Sequence, residues 1–155
     1  MRHASLLSIS TIKEALVALV AVLALAVPLH ATNDDARSYA IESAIPWLDQ
    51  EENPYSLRET WWAQDSKTGE AKLIRHQLFA RNDYRFWVAA GEMDAKVSIH
   101  IYDEKGKLVD TEASESAHTA TVRFVPEKTG IYFIRVVVES SPTDPTHWAV
   151  VYGYR

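Results

Sequence analysis

From Leu57 onward the chain breaks into short runs of β-branched and aromatic residues, each closed by a turn signal, and this punctuation constrains the fold more than any other feature. The runs are "LRETWWAQ", "EAKLIRHQLF", "YRFWVAA", "AKVSIHIYD", "KLVDTEA", "ATVRFVP", "GIYFIRVVVES" and "HWAVVYGYR". About eight such strands, none long enough to stand alone, predict an all-β antiparallel sandwich. Gly69, Gly91, Gly106 and Gly130 stand where tight connections can use a positive φ. In "SSPTDPT" two prolines interrupt any ladder.

Alternation within the runs predicts the faces. Val97, Ile99 and Ile101 point one way while Ser98, His100 and Tyr102 point the other, and Tyr84, Phe86 and Val88 alternate against Arg85 and Trp87. The penultimate strand is apolar on both sides: Tyr132, Ile134, Val136 and Val138 form one row, and Ile131, Phe133 and Val137 share the other with Arg135. A strand of that kind is covered twice. The second cover is expected to be either the N-terminal helix or a partner molecule.

That helix is expected in "NDDARSYAIESAIPWLDQ", with Asn33 or Asp34 as the N-cap and Ala36, Ala40, Ile41, Ala44, Ile45 and Leu48 recurring at helical spacing. Pro46 should limit it to about three turns. Ahead of it, Arg2, His3 and Lys13 precede thirteen uninterrupted apolar residues from Ala15 to Val27. That run is shorter than the roughly 20 residues a membrane-spanning helix needs, and small residues follow it, so it has the layout of a secretory signal cleaved after Ala31 or Ala26. A retained anchor shares this layout. The expected organisation is a signal peptide over 1–31, a helix and linker over 32–56, and a β-sandwich over 57–155.

Charge and cysteine usage agree with export. The chain carries a formal net charge of −5, and loss of Arg2, Lys13 and Glu14 with the leader makes the remainder one unit more negative. This opposes non-specific binding to nucleic acid. Cysteine is absent, so an exported domain of this composition relies on buried apolar area rather than disulfides, and thiol nucleophiles and thiolate metal sites are excluded.

The succession "DYRFWVAAG", "VSIHIYDEKGKLV", "ATVRFVPEKTGIYFIRVVV" and "HWAVVYGYR" resembles the pre-peptidase C-terminal domain, a bacterial jelly-roll β-sandwich attached to many secreted proteins. The positions that carry the resemblance are Tyr84, Phe86, Val88 and Gly91, then Ile101, Tyr102, Asp103 and Gly106, then Pro126, Gly130, Tyr132, Ile134 and Val136, within about residues 70 to 155. The resemblance implies a jelly-roll topology and a non-catalytic accessory role in the periplasm or outside a bacterial cell. "DAKVSIHIYD" lacks the usual acidic pair of that family, so calcium ligands are not carried over.

Catalytic constellations are not spelled out. The glycines stand apart, with no phosphate-cradling loop, and G-x-S-x-G and H-E-x-x-H are missing. His76, His100, His118 and His147 fall on separate runs without short ligand spacing and read as solvated or hydrogen-bonded histidines, so no metal or cofactor is expected. In "DTEASESAHT" the residues Asp110, Ser114, Ser116 and His118 lie close in sequence, and a polar hairpin loop accounts for them. The acidic pairs Asp34 with Asp35, Glu51 with Glu52, and Asp103 with Glu104 lack EF-hand spacing.

Aromatic residues carry the binding signal. Of the consecutive Trp61 and Trp62, one should leave the core. Trp87, His100 and Tyr102, with Arg85 nearby, are candidates for an exposed platform suited to a sugar ring or a protein segment. The alternative is that the helix and "DQEENPYSL" cover these rings. The function that follows is an exported, non-catalytic module binding a protein or glycan of the cell envelope or exterior, or serving a structural accessory role. Its alternatives are an enzyme with an unrecognised polar site and a signal-anchored envelope protein.

Protein recovered from the native envelope is expected to lack residues 1 to about 31 by mass spectrometry. Recovery with Met1 intact overturns the cleaved leader.

Overall fold

The structure is a computed structural model that describes residues 32–109 and 111–155; the expected leader lies outside the described residues. One helix, α1 (Thr32–Leu48), precedes eight strands: β1 (Ser56–Ser66), β2 (Ala71–Leu78), β3 (Tyr84–Ala90), β4 (Lys96–Tyr102), β5 (Glu112–Ser116), β6 (Thr119–Phe124), β7 (Gly130–Ser140) and β8 (Thr146–Tyr154). They form a five-stranded sheet in the order β1-β8-β3-β6-β5 and a three-stranded sheet in the order β2-β7-β4. Every pairing is antiparallel, and β1·β8, β2·β7 and β3·β6 nest inside one another. Such nesting is that of one long hairpin rolled into a sandwich, the jelly-roll plan.

The innermost pair of that plan is incomplete. β5 lies against β6 at the edge of the five-stranded sheet, and toward β4 there remain a Tyr102–Leu108 bridge and the Val109 amide donating to the Ile101 carbonyl at 3.0 Å. The sequence placed this strand earlier, over 107–113, and treated "DTEASESAHT" as a loop. All five residues of β5 are exposed, so no burial rhythm marks the strand; pairing with β6 alone defines it.

Between the sheets sits the core. Phe86, Val88, Val122, Trp148 and Val150 face Ile74, Leu78, Ile99, Ile101, Ile134 and Val136, and the Trp148 indole N–H donates to Ser66 Oγ at 2.7 Å. Tyr132, Ile134, Val136 and Val138 fill the inward row of β7. Trp62 packs inward and Trp61 is 39% exposed, with the Arg37 guanidinium 4.9 Å from its ring.

The helix covers the outer face of β3 and β8, not that of β7. Ala36, Ala40 and Ala44 recur every fourth residue and are fully buried, and Ala40 and Ala44 share a cluster with Trp87, Ala89 and Val151. Small side chains let a helix lie close to a sheet. The link 49–55 is folded back by the Tyr55 amide donating to the Trp47 carbonyl at 3.1 Å, which holds α1 beside β1 and therefore beside β8. The helix begins at Thr32, ahead of the expected cap positions 33 and 34, Ile45 is 45% exposed, and the helix runs through Pro46 to Leu48. Pro46 has no N–H to give the Glu42 carbonyl, but the i→i−4 pattern continues past it, with the Asp49 amide donating to the Ile45 carbonyl at 3.0 Å. Among the described residues no helix is long and apolar enough to cross a membrane.

Gly69 and Gly106 take positive φ of 78° and 76°, whereas Gly91 and Gly130 do not. The strand glycine that matters is Gly153. A Cβ there would stand 2.7 Å from the Ser56 carbonyl oxygen and 3.4 Å from Leu57 Cα, where β1 bulges against β8. Gly153→Ala is expected to cost about 1–3 kcal/mol because backbone must move. Gly130→Ala, whose Cβ would meet nothing nearer than 4.0 Å, should cost clearly less. Equal denaturation midpoints for the two variants would refute the close approach.

Candidate functional site

The four residues expected to form a platform fall on opposite sides of the molecule. Trp87 and Arg85 project from the outer face of β3 and lie beneath the helix, 0% and 7% exposed. The Arg85 guanidinium stacks on the Trp47 ring at 3.6 Å and lies 5.7 Å from Tyr55, while Trp87 meets Tyr55 edge-on at 5.9 Å. His100 and Tyr102 project from the outer face of β4, in the other sheet, and are half-buried. The expected Trp87–His100–Tyr102–Arg85 platform is therefore not assembled. Strand parity gives the side of a strand a residue occupies; it does not say which sheet the strand joins or what lies over it.

An ionic cluster ties this covered side together. The Asp83 carboxylate, in the β2–β3 connection, accepts from Tyr55 Oη at 2.7 Å, Arg123 Nε at 2.8 Å and Arg155 Nε at 2.8 Å. Burial alone would raise the Asp83 pKa, but the bonds from Arg123, Tyr55 and Arg155 outweigh it and hold the carboxyl below its ordinary value. Arg123 also reaches Glu112 at 2.9 Å, and Arg155 donates to the Asn53 carbonyl at 2.8 Å. One carboxylate thus connects the helix linker, β6 and the residue after β8.

The histidines stay apart. His76 is set between the Trp62 and Tyr152 rings at 5.1 and 4.9 Å, and burial lowers its pKa. His118 meets Tyr39 edge-on at 4.9 Å. His147 Nδ1 lies 2.6 Å from Asp65 beside a small cleft of about 270 Å³ that Thr143 also lines, with no hydroxyl bonded to the ring among the described residues. Ser114 and Ser116 sit on the exposed edge strand β5 and make no hydrogen bond to His118 among the described residues; Asp110 lies outside them. Asp103 caps its own turn, accepting from the Lys105 and Lys107 amides at 2.9 Å each. No group of three or more His, Cys, Asp or Glu suited to a metal occurs among the described residues.

What remains open is the outer face of the three-stranded sheet. Its cross-strand rows run Leu73–Arg135–His100 and Arg75–Phe133–Tyr102. Leu73 is 60% exposed, and with Ala71, Tyr102, Lys105, Phe133 and Arg135 it lines an open groove of about 620 Å³. The face is open around Leu73, whereas Val137 and Ser98, in the next row of the same face, are buried. Parity had already put His100 and Tyr102 together; Leu73, Phe133 and Arg135 join them only once β2 and β4 are known to flank β7.

Comparison with known families adds one similarity. Residues 86–145, from within β3 to the loop before β8, match the model of a secretion system C-terminal sorting domain. The match takes in strands that suggested the pre-peptidase C-terminal resemblance, and it points to another β-rich class of exported protein. No curated protein matches the chain.

The Asp83 cluster gives a pH-dependent expectation. Because its folded pKa lies below the unfolded value of about 3.9, the stability it contributes is present above that pH and is lost as pH falls through the folded value. Asp83→Asn should cost about 3 kcal/mol at pH 7, since two guanidiniums lose their anion, and should flatten the acid limb of the stability curve. Denaturant titrations of both proteins from pH 7 to pH 2 check this; an unchanged acid limb would remove Asp83 as its source.

Proposed function

We propose that this protein is an exported, non-catalytic β-sandwich module that binds a macromolecule of the cell envelope or exterior through the bare face of its three-stranded sheet. The carrying observation is asymmetry: α1 covers the outer face of β3 and β8 at the centre of the five-stranded sheet, whereas on the other sheet Leu73 is exposed and, with the half-buried Phe133 and Tyr102, lines an open groove. Half-buried aromatic side chains gathered with an exposed leucine and arginines along one groove are the composition of a binding patch. The sorting-domain similarity supports export and an addressing or attachment role, and the pre-peptidase C-terminal resemblance supports an accessory role beside other secreted components. The scattered histidines and serines favour binding over catalysis.

Capture from envelope extract by the purified full chain tests this. Leu73→Asp should abolish capture of the native partner without lowering the melting temperature, because the side chain is already in water. Met93→Asp, at a 64% exposed apolar residue in the β3–β4 loop, should leave capture intact. Equal capture by both variants would remove the sheet face as the binding surface.

A further inference from the structure

The outer face of the three-stranded sheet also carries an electrostatic pattern that narrows the partner's chemistry. Arg75 stands opposite Phe133 while Arg135 stands opposite Leu73, so the two arginines are diagonal neighbours on one face, with their Cβ atoms no more than about 7–8 Å apart. Like charges placed this way repel. Elsewhere the protein neutralises such groups, as where Arg123 and Arg155 share Asp83. Arg75 and Arg135 form no ion pair among the described residues.

The acids around the face are otherwise engaged or offset. Glu139 accepts a hydrogen bond from Ser98, the Asp103 carboxylate is taken by turn amides, and Glu104 shares the groove rim with Lys105. Glu70 is bonded to Lys72 at 2.6 Å. An uncompensated cationic pair in a chain of net charge −5 runs against the overall balance. Crossing the arginine diagonal is an apolar one, Leu73 with Phe133, which Tyr102 extends.

We infer that this face docks an acidic segment of a partner protein, which sets carboxylates against Arg75 and Arg135 and apolar side chains on Leu73, Phe133 and Tyr102. Arginine holds carboxylates bidentately and remains charged in an interface. A protein fits better than a glycan because the most exposed member, Leu73, offers neither a flat ring nor a polar tip to a sugar. A second copy docking the same face would set arginine against arginine. The inference rests on the binding-module function proposed above.

The test uses the purified full chain and three labelled probes: a short peptide alternating leucine and glutamate, its leucine–glutamine counterpart, and a uronic-acid oligosaccharide. The glutamate peptide should bind at least about 10-fold tighter than the glutamine peptide, and the advantage should shrink in about 1 M salt. Arg75→Gln combined with Arg135→Gln should erase the advantage without lowering the melting temperature. Equal binding of the two peptides, or an advantage that survives the double substitution, overturns the inference. Oligosaccharide binding without peptide binding also overturns it and assigns the face to an acidic glycan. If no probe binds, the acidic segment is rejected, while loss of extract capture by Leu73→Asp would still uphold the face as a binding surface.

Discussion

The five-stranded sheet must be kept dry on both faces at β3 and β8, and the rest of the architecture follows from that constraint. Every residue of β3 is buried, and β8 contributes Trp148 and Val150 to one side and Val151 to the other. One face is satisfied by the second sheet. For the other the chain uses α1, whose alanines at 36, 40 and 44 bring helix and sheet close enough to exclude water. Burial of about 25 cal/mol per Å² of apolar surface is the main favourable term available, because there is no disulfide to restrict the unfolded chain.

A sealed helix–sheet interface that contains an arginine needs special arrangement. Arg85 is buried, yet its guanidinium carbon lies over the Trp47 ring at 3.6 Å from the centroid, an arrangement in which ring electrons offset part of the lost hydration. At the neighbouring end, Asp83 gathers Tyr55, Arg123 and Arg155 and so holds the linker that positions the helix. The same side chains therefore neutralise charge and fix where the cover lies. Among the described residues no carboxylate plays this part on the other sheet, whose outer surface carries Arg75 and Arg135 without ion pairs beside the exposed Leu73.

The fold was largely legible because strand rhythm is a local property. Alternation at Val97, Ile99 and Ile101 and at Tyr84, Phe86 and Val88 gave the inward rows correctly, since period 2 follows from the backbone of each strand by itself. β5 escaped detection because an edge strand of exposed Glu, Ala and Ser has no buried face to impose a rhythm. Gly153 escaped for a related reason: its requirement comes from Ser56 and Leu57, almost a hundred residues away in sequence.

The site was half legible. His100 and Tyr102 do share an outer face, but Trp87 and Arg85, with the same local pattern, lie under a helix in the other sheet. By itself the sequence determined an all-β chain with inward and outward rows and a helix ahead of the strands, because each depends on residues near one another along the chain. Which sheet received the helix, and so which aromatic residues met water, was decided only when β1 paired with β8 and the 49–55 link held α1 beside them. Cover is a property of distant segments meeting, and no local spacing encodes it.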